Sequence, residues 1–146
     1  VLQQLQVLQP SPCEPIVRVP SADDPVVVKR VLDCGAQSII FPMVTSAEQA
    51  AAAVASTRYP PDGIRGVMTT ARMTNYAIDS ESLMQYYKSA ADEICVIVQI
   101  EDAASVDLIP EIAQVRGVDG IFFGPSDLAA SMGLLGQPSH AEVVSL

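Results

Sequence analysis

Tryptophan is absent from this 146-residue sequence, aromatic residues make up only 5% of it, and histidine occurs once. So few flat side chains leave no stacking surface for single-stranded nucleic acid. Positive charge is scarce too: 8 Lys and Arg stand against 17 Asp and Glu, for a net charge of -9. Nucleic acid and anionic membranes would be repelled at every approach. The 3 cysteines, Cys13, Cys34 and Cys95, are odd in number and fit neither a disulfide framework nor a zinc knuckle. Cys34 and Cys95, inside apolar stretches, read as small packing residues, and a reducing compartment is the simplest home for the chain. The longest apolar run, Ile94 to Val98, is far too short to span a bilayer, and no charged-then-apolar leader opens the chain. Cytoplasmic residence is the expectation. Also missing are a Ser-His-Asp order, a phosphate-binding P-loop, a glycine-rich dinucleotide fingerprint and a zincin motif.

What is present is a 49% hydrophobic chain of mean hydropathy +0.31, enough to bury one core, and residues 1–146 are read as a single domain. Leu2, Leu5 and Leu8 fall at helical spacing before Pro10. Ile16 to Val19 reads as a strand. Asp24-Pro25 then opens a helix that Gly35 closes, with Asp24 as its cap. Ser38 to Phe41 is a second strand, and Thr45 or Ser46 caps an alanine-rich helix over 47–57. Residues 58–63 are turn chemistry, 66–80 a long loop and 81–91 a helix. Residues 95–100 form a third strand, 103–115 a full helix and 120–123 a fourth strand. Apolar strands alternating with helices specify an α/β fold with a parallel sheet. Right-handed crossovers bring the ends of all four strands to one rim.

That rim collects Arg18, Met43, Gln99, Glu101, Ser126 and Asp127. Gln99 and Glu101 are two residues apart on one strand and share a face. Glu101 and Asp127, with water, suit a hard divalent cation such as Mg²⁺ or Mn²⁺. The competing reading is capping, with Asp127 starting a helix at Leu128 and Glu101 or Asp102 starting the one at Ala103. Gly124 lets backbone approach a ligand, and the Ser126 and Asp127 amides at a helix N-terminus form an anion pocket. Arg18, a charge inside a short apolar strand, needs either a neighbouring carboxylate or a substrate. Metal, helix terminus and Arg around one cavity would stabilise an enolate, so carbon–carbon cleavage beside a 2-oxo acid is the expected reaction class. His140, in Gln-Pro-Ser-His-Ala-Glu, reads as a surface or helix-starting residue.

These residues resemble the HpcH/HpaI aldolase family, the class II metal-dependent 2-keto-3-deoxy acid aldolases. The resemblance is carried by Val17-Arg18-Val19-Pro20, Asp24-Pro25, Phe41-Pro42-Met43-Val44, Thr57 through Val67 with its Arg-Tyr-Pro-Pro-Asp-Gly-Ile-Arg-Gly core, Val98-Gln99-Ile100-Glu101 and Gly120 through Leu128. It implies a (β/α)8 TIM-type barrel in which Glu101 and Asp127 bind the metal, Mg²⁺ or Mn²⁺ with Co²⁺ or Zn²⁺ as alternatives. It further implies that Gln99 lines the pocket, that Arg18 sits against the keto oxygen, and that the Ser126 and Asp127 amides, with Gly124 nearby, hold the pyruvate carboxylate. The implied reaction is reversible cleavage of a 4-hydroxy-2-oxo acid to pyruvate and an aldehyde.

Such barrels run to about 250 residues, and the resemblance covers what look like strands three to six. The family's Asp-x-Glu-His motif, whose His serves acid–base chemistry, has no counterpart here. The expectation is a truncated aldolase that forms homo-oligomers; the rival is a catalytically inactive α/β module acting as an oligomeric or regulatory binding domain. Two bare strand edges favour self-association in either case.

Overall fold

The computed structural model describes all residues 1–146. Its order is α1 (Leu2–Leu8), β1 (Ile16–Arg18), α2 (Pro25–Asp33), β2 (Ser38–Phe41), α3 (Ala47–Thr57), α4 (Ser80–Glu93), β3 (Cys95–Ile100), α5 (Ile109–Ala113), β4 (Gly120–Phe123), α6 (Pro125–Ser131) and α7 (Ala141–Val144). All four strands are parallel and lie in chain order, β1-β2-β3-β4, with Ile16 opposite Ser38, Ser38 opposite Cys95, and Ile97 opposite Gly120. The architecture is the α/β partial barrel that the alternation of elements specifies.

Local chemistry accounts for the helix starts. Asp24 Oδ1 accepts from the Val26 and Val27 N–H groups at 3.1 and 3.0 Å, with Pro25 in the first turn where a missing N–H costs nothing. Ser46, rather than Thr45, caps α3 by accepting from Gln49 N–H at 3.1 Å. Asp79 caps α4. Gly35, at φ +96°, ends α2 in the left-handed region that favours glycine.

Two expectations are corrected. The single helix over 103–115 is instead a 3₁₀ segment at Ala103–Leu108 followed by the short α5. Pro110 lacks the N–H that a continuous helix would use, so the turn has to restart there. The 66–80 loop holds a distorted 3₁₀ turn at Arg72–Ala77, with Asn75, Tyr76 and Ala77 all at positive φ.

The core lies between one face of the sheet and the helices. Ile39, Phe41, Val96, Val98 and Ile100 are fully buried against Val28, Leu32, Ala50, Ala53 and Ile112. Beside this core stands a buried charge. Arg65 pairs with Asp33 at 3.3 Å, donates to Tyr86 Oη at 3.0 Å, and has its guanidinium 4.6 Å from the centre of the Tyr59 ring. Gly63 permits the turn that delivers it, since a Cβ there would lie 2.3 Å from the Ala55 carbonyl oxygen. The Arg-Tyr-Pro-Pro-Asp-Gly-Ile-Arg run thus builds a cation cage that ties α2 to α4. No helix is long and apolar enough to cross a membrane.

Candidate active site

Parallel pairing carries the C-terminal ends of the strands to one rim, where a cavity of about 380 Å³ opens. Arg18 from β1, Pro42 and Met43 after β2, Glu101 after β3 and Asp127 from α6 line it, together with Asp23 and Gln49. Three of the expected site residues, Arg18, Glu101 and Asp127, therefore converge from three separate elements.

Glu101 is the centre of the arrangement. It is buried, its Oε1 accepts from Met43 N–H at 3.0 Å, and its Oε2 accepts from Gln99 Nε2 at 2.9 Å. Met43 is at φ +52°, a left-handed conformation that costs a non-glycine residue about 1–2 kcal/mol. That turn delivers its N–H to the carboxylate. Burial pushes the Glu101 carboxyl above the usual carboxylate range; the Met43 hydrogen bond opposes this, the neighbouring Asp127 carboxylate adds to it, and Arg18 pulls the other way. Gln99 Oε1 is buried with no hydrogen-bond partner, an acceptor left over beside the carboxylate.

Gly124 serves this pair directly. A Cβ at that position would sit 2.6 Å from Glu101 Oε2 and 2.9 Å from Gln99 Nε2. The room expected for a ligand is filled by those two side chains, so the absence of a side chain at 124 makes space for the carboxylate. Gly124 also takes the cap position of α6 with no side-chain cap bond, and Asp127 lies inside the first turn instead of capping a helix at Leu128. Asp102, not Glu101, caps the 3₁₀ segment, accepting from Ala104 N–H at 3.1 Å. The capping alternative thus falls away for Glu101 and Asp127. Ser126 is exposed and outside the cavity lining.

Arg18 departs from the expectation of a charge enclosed in an apolar strand. It ends β1 on the open edge of the sheet, is exposed, and makes no ion pair; the molecule's ion pairs are Lys29–Asp33 and Arg65–Asp33. Solvent solvates it, and no carboxylate has to neutralise it. His140 caps α7, its Nδ1 accepting from Glu142 N–H at 3.3 Å, and does not line the cavity. The three cysteines are free thiols, Cys13 exposed and Cys34 and Cys95 half-buried. Asp23 and Gln49 went unnoticed as site residues in the sequence, because a loop residue and one inside an alanine-rich helix carry no local sign that they meet.

Three carboxylates, Asp23, Glu101 and Asp127, line this rim without forming a group of three that could hold a metal ion, and the donors expected from the sequence are Glu101 and Asp127. Two hard oxygen donors lining an open cavity fit a divalent cation of the Mg²⁺ type, which keeps several positions for water or substrate.

A parallel α/β partial barrel with an acid pair and an arginine at its C-terminal rim places its candidate site where barrels of this type carry theirs, at the strand ends. The HpcH/HpaI aldolase/citrate lyase family model matches residues 1–145, and the chain belongs to that family. It is similar to a 4-hydroxy-2-oxo-heptane-1,7-dioate aldolase of Escherichia coli, 47% identical over 144 residues that are 98% of this chain and 53% of that protein. A pyruvate aldolase of Rhizobium etli is 47% identical over 145 residues, 99% of this chain and 55% of that one. The crystal structure of a HpcH/HpaI aldolase/citrate lyase family protein from Burkholderia cenocepacia superposes with a TM-score of 0.91 at 41% identity, over 99% of this chain and 56% of that one. The chain spans about half the length of the curated relatives it matches.

Proposed function

We propose that the site is the metal- and pyruvate-binding half of an aldolase that reversibly cleaves a 4-hydroxy-2-oxo acid to pyruvate and an aldehyde. The observation that carries this is the meeting of Arg18, Glu101 and Asp127 around one cavity. Membership of the aldolase family and likeness to relatives named for aldol cleavage support it. Glu101 and Asp127 would hold Mg²⁺ or Mn²⁺, with Co²⁺ or Zn²⁺ as alternatives. When bound, the cation supplies Lewis-acid polarisation of the 2-oxo group.

The remaining work falls to the chain. Gln99 and the Met43 N–H hold Glu101 in one orientation, and Gly124 leaves the space for it. Arg18, with no carboxylate of its own, is free to neutralise the charge that grows on the keto oxygen as the C3–C4 bond breaks. The Ser126 and Asp127 N–H groups in the first turn of α6 have no intrahelical partner and would receive the substrate carboxylate. The proton leaving the C4 hydroxyl needs an acceptor, a contribution typically of 10² to 10⁴ in rate. His140 is committed to capping α7. That placement favours, for the 146 residues on their own, the second reading of a binding module with little turnover. A homo-oligomeric state is part of the proposal, supported by the exposed Ile16 and Phe122. A cytoplasmic location is supported by the free thiols.

Calorimetric titration with Mn²⁺ followed by pyruvate tests the reading. Wild type should bind both, and Glu101→Gln should weaken Mn²⁺ roughly tenfold or more through loss of one charged donor. Indistinguishable isotherms for the two proteins would sink the assignment.

A further inference from the structure

The two outermost strands of the sheet carry a pattern that the candidate site leaves unused. β1 has β2 as its only strand neighbour and β4 has β3, so each leaves one row of backbone groups without a strand partner. On the face turned away from the helices the same two strands present Ile16 and Phe122, both about half exposed. Apolar side chains and unpaired edges therefore coincide at both ends of one sheet.

The register says which strand fits each edge. Ile16 stands level with Ser38, and Ser38 with Cys95, whereas Phe122 stands level with Gln99, four residues further along β3 than Cys95. The paired segments thus climb toward the strand C-termini as the sheet runs from β1 to β4. A closed barrel of eight parallel strands climbs by about eight residues in a full circuit, and by about four in half of one. Four strands that have climbed four residues make half a circuit. A second copy of the same sheet then meets the first with Phe122 opposite its Ile16 and Gly124 opposite its Arg18. All four strands run the same way, so a two-fold axis along them keeps every strand parallel and makes the second seam identical to the first.

The seam also matches in charge. Arg18 is exposed and makes no ion pair, and neither Glu101 nor Asp127 has a cation paired with it. Gly124 leaves its side-chain space to Glu101, whose Oε2 lies 2.6 Å from where a Cβ would be. An arginine brought opposite Gly124 therefore faces this pair of carboxylates.

We infer that two copies of the 146-residue chain close into one eight-stranded barrel, each β4 pairing in parallel with β1 of the other copy. Arg18 of each copy then faces the Glu101–Asp127 pair of the other, so each candidate site is completed across a seam and both open at one mouth. Ile16 and Phe122 of both copies fill the interior, which in a barrel of eight strands is just wide enough for side chains. The assembly rests on the homo-oligomeric reading and gives it a geometry.

Sedimentation equilibrium and thiol cross-linking test it on the 146-residue chain. Concentrated wild type should sediment at twice the chain mass. Dilution should return single chains by mass action, and in these Phe122 is open to solvent. In the double variant Ile16→Cys, Phe122→Cys, a short bismaleimide should join chains in pairs and no further, because a closed ring has no free edge; wild type treated alike corrects for the native thiols. Arg18→Glu, which sets a third acid against Glu101 and Asp127, should raise the dimer dissociation constant about tenfold or more. A single chain at every concentration, a ladder of products beyond two chains, a dimer in which residues 16 and 122 do not cross-link, or a dimer indifferent to Arg18→Glu overturns the inference. Calorimetry with Mn²⁺ separates it from the aldolase reading. A monomer that binds Mn²⁺ through Glu101 sinks the barrel of two copies alone, and a closed dimer without Mn²⁺ affinity sinks the metal assignment alone.

Discussion

Ile39, Phe41, Val96, Val98 and Ile100 point from the sheet toward the helices and are wholly buried, whereas Ile16 and Phe122, on the opposite face, remain 52% and 49% exposed. The strands supply both sets by simple alternation. Arg18, Gln99 and Glu101 all belong to the less covered face or its continuation at the rim. The two faces divide the labour: the helix side carries the cohesion of the chain, and the other side carries polar groups that a dry core would not tolerate unpaired.

The largest effect that would sharpen this division comes from a pair of identical truncations. Phe41→Ala should cost about 3–5 kcal/mol by leaving a cavity in close-packed surroundings. Phe122→Ala should cost less than about 1 kcal/mol. Urea unfolding midpoints decide it, and equal losses would show that the second face is covered in solution.

A smaller, opposite test asks whether the less covered face is everywhere undemanding. Gly124→Ala places a methyl group 2.6 Å from Glu101 Oε2, so the carboxylate has to move. We expect a stability loss of about 1–3 kcal/mol from overpacking, together with weaker Mn²⁺ binding. A fully stable variant with unchanged Mn²⁺ affinity would mean that Glu101 has another low-energy position.

The smallest effect probes one of the polar intrusions on the helix side. Tyr59 Oη is buried with no partner, so Tyr59→Phe breaks no hydrogen bond and should change stability by less than about 1 kcal/mol at neutral pH. Burial pushes the Tyr59 phenol up, against the partial opposition of Arg65. The folded protein then keeps a proton that the unfolded chain releases near its ordinary value of about 10. Stability is therefore intact below that pH and declines as pH rises through and beyond it. Thermal melts between pH 8 and 11 should show a shallower decline for Tyr59→Phe, and parallel declines would refute the burial argument.

Much of this was legible in the sequence because it is local. Pro, Gly and capping residues mark the ends of α2 and α3, and unbroken apolar runs mark β2 and β3 as strands covered on both faces in a complete barrel. Arg18, Glu101 and Asp127 could be placed on one rim because parallel connectivity alone dictates it. What stayed hidden depends on long-range geometry. Nothing near Arg65 announces Asp33 and Tyr86 as its partners, and nothing near Gln49 announces Asp23. The exposure of Arg18 follows from the pairing of β1 on one side only, which its apolar neighbours Val17 and Val19 do not reveal. The interruption at Pro110 was readable in principle, but the apolar spacing from Ala103 to Val115 masked it.

The identity of sheet order and chain order bears on how the molecule is made. Each new strand docks on the one synthesised just before it, so a ribosome can release β1, α2 and β2 as a growing edge before β3 has left the exit tunnel. The joins are not equal. Ile16 finds Ser38 and Ile97 finds Gly120 across short crossovers, but Ser38 must find Cys95 across a span more than twice as long. Closing that longer span costs roughly 0.6–0.9 kcal/mol more in chain entropy. The β2–β3 join is thus the most costly of the three in chain entropy, and Arg65, which bridges Asp33 and Tyr86, lies inside the span it closes.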